Sequence, residues 1–138
     1  MKVFISHADA DADLAKRVAD TLKKSGFQVW DAGDNSQVLP GDNWGEKLAQ
    51  ALEESNAMVI LLTPNSVKSP NVTYELSFAL GNRNYEGRVI PVLAVPPEQL
   101  PMDQIPWILG RFQMIHLPDE ERDGQAIQQI AYALRAAA

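Results

Sequence analysis

Cysteine is absent from the chain, which removes disulfides, thiolate nucleophiles and cysteine-bound zinc and suits a reducing compartment. Histidine is scarce: His7 and His116 stand far apart and offer no ligand spacing, so no metal site is expected. Basic runs are missing as well. With 12 Lys and Arg against 18 Asp and Glu, the net charge is -6, which disfavours a nucleic-acid backbone and leaves proteins or small molecules as partners. No apolar run approaches the roughly 18 residues of a membrane span, and the N-terminus enters a strand-like segment without a signal-peptide pattern. The expectation is a soluble, cytoplasmic protein with no membrane contact. At 138 residues and 46% hydrophobic content, the chain suits one compact domain over residues 1–138.

Lys2-Val3-Phe4-Ile5-Ser6 is a short apolar run ending in polar residues, the pattern of a buried parallel strand feeding a loop, here His7 to Asp13. From Asp13, the positions Leu14, Ala15, Val18, Ala19 and Leu22 recur at helical spacing, and Gly26 closes the helix. Phe27 to Trp30 reads as a second strand, and Asp31 to Asn43, with two Gly, one Pro and three Asp, as a long loop. Trp44 opens a helix whose inner face is Trp44, Leu48, Ala51 and Leu52. Ala57 to Leu62 is the most hydrophobic run and is expected at the centre of a sheet; Thr63-Pro64-Asn65-Ser66 breaks it.

Arg88 to Val95 makes a fourth strand, whose Pro91 is tolerable only near an edge or a bulge, so that it is not expected at the centre. Pro96, Pro97, Pro101 and Pro106 crowd the stretch Pro96 to Gly110, which predicts a tethered loop with at most one or two turns. Phe112 to Leu117 reads as a fifth strand, and a last helix from about Asp123 carries Ile127, Ile130, Ala131 and Leu134 as its stripe. No internal repeat is evident. Strands alternating with helices predict a flavodoxin-like α/β fold, a three-layer sandwich around a five-stranded parallel sheet with right-handed crossovers. In such sheets ligands sit beyond the carboxyl ends of the strands, where the strand order reverses.

The stretch Ser69 to Leu80 carries one carboxylate in an unusual place. Ser69 is a good N-cap and Pro70 suits the first helical position, so the helix begins there. At 3.6 residues per turn, Val72, Leu76, Ala79 and Leu80 form the buried face and Glu75 lies at its edge. An edge carboxylate either bends out to solvent or pairs with a cation, unless a crevice makes use of it. Glu75 sits two turns into the helix after the third strand, at the end of the sheet that also carries Ser6, His7 and Ala8.

Other sites at that end fit less well. A phosphoacceptor domain needs acids after the first strand and an Asp after the third, where this chain has Ser6-His7 and Thr63-Pro64. Neither a P-loop nor a GxGxxG pattern occurs. A Ser–His–Asp hydrolase fails because Ser6 and His7 are adjacent at a strand end and point in opposite directions.

Val3-Phe4-Ile5-Ser6-His7-Ala8 with Asp11, then Gly26-Phe27-Gln28-Val29-Trp30, then Leu39-Pro40-Gly41-Asp42, and finally Val59 to Ser66 leading into Tyr74-Glu75-Leu76 together resemble a TIR (Toll/interleukin-1 receptor) domain of bacterial type, over essentially the whole chain. The resemblance implies two alternatives: an enzyme that cleaves NAD between nicotinamide and ribose, or a non-catalytic adaptor that recruits other TIR domains. In the enzyme, Glu75 corresponds to the catalytic residue, NAD is a substrate and no cofactor is needed. The products are nicotinamide and a linear or cyclic ADP-ribose species, in bacterial defence or signalling.

Further positions carry over one at a time. Ser6, His7 and Ala8 match a segment that lines the nucleotide site, although His7 reads equally as a hydrogen-bonded loop histidine. Trp44 matches an aromatic that packs on substrate, or is core. Trp30 reads more readily as packing, and Asp31 as part of a solvated rim or a ribose contact. Asn71 stands where enzymatic relatives often carry Trp, four residues before the glutamate, which puts cyclising chemistry in doubt. Leu39, Pro40 and Gly41 correspond to the tip of the BB loop, through which homo-oligomerisation is implied, with a separate or fused sensor domain as a further partner.

Overall fold

Alternation along the first strand sorts the interior into two layers. In β1, Lys2–Ser6, residues Val3 and Ile5 join one apolar cluster and Phe4 the other, as the two-residue period of a strand requires. The computed structural model describes residues 1–31, 44–112, 114–117 and 123–137. Within them the elements are β1, α1 (Ala12–Lys24), β2 (Gln28–Asp31), α2 (Trp44–Glu54), β3 (Ala57–Leu62), α3 (Pro70–Leu80), β4 (Val89–Leu93), β5 (Ile115–His116) and α4 (Asp123–Ala137). The strands form one parallel sheet in the order β2-β1-β3-β4-β5. This is the flavodoxin-like plan with β3 at the centre, and all six residues of β3 are buried.

One face of the sheet is covered by α1 and α4, whose Val18, Leu22, Ile127, Ile130 and Leu134 meet Val3, Ile5, Val59 and Leu61. On the other, α2 and α3 bring Leu52, Val72 and Leu76 to Phe4, Met58, Ile60 and Leu62. Each such aliphatic side chain contributes about 1.5–3 kcal/mol by leaving water. Gly26, at φ 96°, turns the chain out of α1 into β2, a conformation that β-carbon sterics deny to most residues.

Order reversal fixes where a site can form. From β1 the chain crosses to β2 on one side, and β3 then pairs on the other side of β1. The carboxyl ends of β1 and β3 therefore flank the switch point.

Several expectations need correction. The inner face of α3 comprises Val72, Glu75, Leu76 and Ala79, while Leu80 is 39% exposed. The helix is rotated so that Leu80 lies roughly 90° from the middle of that face, and Glu75 moves from the edge into it. Strand β5 is only Ile115–His116, because a 3-10 turn over Trp107–Arg111 captures Phe112, whose N–H bonds the Leu109 carbonyl at 3.1 Å. Pro91 lies in β4, which is off the centre and next to the edge strand, as a position near an edge requires. The Leu93 carbonyl accepts from Leu117, so Leu93 faces β5, and Pro91, two residues earlier, faces the same way. Strand β5 pairs only from Val92 onward, so the donor that proline lacks is not needed there.

The proline-rich connection holds three turns where at most two were expected, and it is a repeat. Pro96-Pro97-Glu98-Gln99-Leu100, Pro101-Met102-Asp103-Gln104-Ile105 and Pro106-Trp107-Ile108-Leu109-Gly110 follow each other as pentads. In each, the leading proline carbonyl accepts an N–H three residues on, at 2.9 Å. Leu100, Ile105 and Leu109 are buried. Proline's fixed φ suits the start of a turn, where no N–H is required.

Candidate functional site

The Ser69 hydroxyl accepts the Val72 N–H at 3.3 Å and starts α3 at Pro70, which sets the rotation that turns Glu75 toward β1. Ser6, with the same parity as Phe4, faces α3 across the sheet end, and its hydroxyl donates to Glu75 Oε1 at 2.7 Å. Glu75 is 2% exposed. Burial pushes its carboxyl up, to about 7, against the pull of the Ser6 hydroxyl and the His7 charge, while the Asp9 charge adds to the push.

His7, one residue further, has the opposite parity. Its Nε2 lies 2.5 Å from Asp31 Oδ1, at the end of the neighbouring strand β2, and its Nδ1 lies 2.7 Å from the Ala8 carbonyl oxygen. Burial alone would lower the imidazole. The bond to Asp31, the bond to the Ala8 carbonyl and the charges of Asp31 and Glu75 outweigh it and hold His7 above its ordinary value. The His7 side chain is fully enclosed and that of Asp31 only 11% exposed, so Asp31 is not part of a solvated rim.

A second set of bonds joins the loops around this pair. The Thr63 hydroxyl, at the end of β3, donates to Asp11 Oδ2 at 2.6 Å, and Ser66 caps the same turn by exchanging bonds with Thr63. These groups were not among the site candidates. The signal was present in Thr63-Pro64-Asn65-Ser66, where hydroxyls three residues apart form a side-chain-closed turn.

Ser6, His7, Ala8, Asp31 and Glu75 are thus brought together. Trp30 is buried in the cluster of Phe4 and Leu52, as a packing residue is. Asn71 is exposed on the first turn of α3. Trp44 begins α2, but its side chain, with Leu39, Pro40 and Gly41, lies outside the described residues. Two cavities occur near α3: one of about 340 Å³ by Asn82, Arg83 and Phe112, and one of about 170 Å³ between Val72, Leu76 and Ile108. Glu75 lines neither. Among the described residues no group of three or more His, Asp or Glu is arranged to hold a metal, and no helix is long and apolar enough to cross a membrane.

A family model described as TIR domain matches residues 3–131. The chain is 27% identical over 129 residues to a stimulator of interferon genes protein from Magallana gigas, covering 91% of this chain but only 30% of that relative's length. Among solved structures, it resembles the TIR domain of the Toll-related receptor TRR-2 of Hydra magnipapillata (TM-score 0.72, 20% identity, 96% and 97% of the two chains). It also resembles a CMP N-glycosidase of Clostridium botulinum (TM-score 0.62, 16% identity, 96% and 98%). At these identities the structural likenesses speak for the fold.

Proposed function

Because the chain belongs to the TIR domain family, we propose that it is an enzyme of the NAD-cleaving class, with Glu75 as the catalytic residue and the loops after β1, β2 and β3 as the pocket. The observation that carries this reading is a lone glutamate, buried to 2% exposure at the switch point of the sheet, with a carboxyl pushed up to about 7. Structural glutamates are seldom treated so; perturbed carboxyls in such places are more often functional. The Clostridium protein shares only the fold, and its name says that N-glycosidic cleavage occurs on such a scaffold.

The chemistry suits one carboxylate. Nicotinamide leaves the ribose C1′ with the bonding electron pair and departs neutral, so no strong general acid is required. Positive charge develops on the ribose, and an ionised Glu75 stabilises it from a site of low dielectric. Water then adds its oxygen to C1′ and releases a proton, giving ADP-ribose; attack by an adenine nitrogen would give the cyclic product instead. Exposed Asn71 offers no stacking surface, which favours the linear product. Activity depends on the ionised form and rises with pH through about 7.

The adaptor reading draws on the same enclosure: among the described residues Glu75 is buried and lines neither of the two cavities near α3. Under the enzyme reading, self-association through the segment of Leu39 and Pro40 activates the site. Concentrated protein, with and without a crowding agent, is incubated with NAD and nicotinamide release is followed beside Glu75→Ala. Release that vanishes in the variant supports the enzyme; no release from either assigns the chain to the adaptors.

A further inference from the structure

Both ring nitrogens of His7 face oxygen atoms: the Ala8 carbonyl at Nδ1 and the Asp31 carboxylate at Nε2. A carbonyl can only accept, so Nδ1 carries a proton, and an ionised carboxylate at Nε2 accepts a second. The ring is enclosed. Ser6, its chain neighbour, holds Glu75. Two strands and a helix thus converge to set one imidazole and two carboxylates in a space where an unbalanced charge is costly.

We infer that Asp31 is a positioning residue: it holds the His7 ring doubly protonated beside Glu75, so that a fixed positive charge lies where the buried carboxylate has to be ionised. Asp31 does not touch the reacting atoms; it acts through His7. Among the described residues, the charged groups acting on Glu75 are His7, in the loop after β1, and Asp9, in the turn before α1; those acting on His7 are Asp31 of β2 and Glu75 of α3. Asp9 opposes ionisation of Glu75, and His7 is the cation that answers it. Sequence alone suggested a ribose contact or a solvent-facing rim for Asp31; its burial and its bond to His7 take it out of the rim. The role presumes the NAD-cleaving function proposed above, but the charge arrangement is measurable without it.

Only two imidazoles need telling apart by NMR, and His116 is on the surface. In protein labelled with 15N-histidine and 13C-glutamate, His7 should show two protonated nitrogens at pH 7. Asp31→Asn should return one of them to the unprotonated form, and Asp31→Glu should restore it. The Glu75 carboxyl, assigned against Glu75→Gln, should titrate about one pH unit higher in Asp31→Asn, because an opposite charge at short range shifts a carboxyl by that order. If Asp31→Asn does not fold, His7→Gln supplies the same comparison for Glu75. A neutral His7 in the unsubstituted protein, or a Glu75 midpoint that does not move when the cation is lost, overturns the assignment. In parallel, NAD cleavage at pH 7 should fall about fivefold in Asp31→Asn and recover at pH 9, from the change in ionised fraction that one unit brings. Absence of turnover in the unsubstituted protein would sink the enzyme reading, while the spectra still decide the charge arrangement.

Discussion

Replacing Glu75 by Gln should make the protein more stable, and more so as pH rises. The folded state holds the carboxyl at about 7, against an ordinary 4.5, so folding favours the protonated form. For a value raised on folding, the contribution to stability is fully present below 4.5 and lost as pH climbs through 7. At pH 8 the unfolded chain has gained nearly all the free energy of ionising this group and the folded chain only part, a difference of about 3 kcal/mol. At pH 5 it is about 1 kcal/mol. Glutamine keeps an oxygen for the Ser6 hydroxyl and carries no charge, so Glu75→Gln escapes the penalty. Urea denaturation of both proteins at pH 5, 6, 7 and 8 reads the difference directly. His7 loses stability with rising pH in the same sense, since its value is also raised, so the two proteins are compared at each pH rather than profile against model. A difference that stays flat from pH 5 to 8, or a variant weaker at pH 8, would refute the claim that burial dominates at Glu75.

Ser6→Ala removes the hydroxyl that favours the carboxylate, so the acid limb of NAD cleavage should move to higher pH; a pH–rate profile with an unchanged limb would speak against that bond. Leu76→Ala should cost about 2–4 kcal/mol by opening a cavity in a buried cluster, whereas Leu80→Ala, at 39% exposure, should cost less than about 1 kcal/mol; thermal melts of the pair check the rotation of α3. Leu39→Asp or Pro40→Asp should lower NAD turnover while far-UV circular dichroism stays unchanged, and turnover that is unaffected at every protein concentration removes the link between activity and assembly.

Local signals carried far where local physics decides. Ser69-Pro70 fixed the start of α3 to the residue, because a cap and a first-turn proline act within four residues. Ala57 to Leu62 stood out as the central strand because only a strand covered on both faces is apolar throughout. Legibility ended where partners come from distant chain. That His7 meets Asp31 depends on β1 and β2 pairing in the register Ile5 with Asp31, which neither strand encodes by itself. The burial of Glu75 rather than Leu80 depends on a rotation of α3 of less than one residue's turn, finer than an apolar pattern specifies. The pentads were visible in the letters, but a proline count conceals their spacing.

Those pentads have a mechanical consequence. An α-helix interlocks its turns, and losing one weakens the next. Here the bonds Gln99 to Pro96, Leu100 to Pro97, Gln104 to Pro101, Ile105 to Met102 and Leu109 to Pro106 all close within a single unit. The connection is a row of separate clasps, each fastened by its own apolar anchor. Each clasp holds its own anchor against the core and leaves Met102 and Trp107 on the outer side, so opening one need not unfasten the backbone bonds of the next.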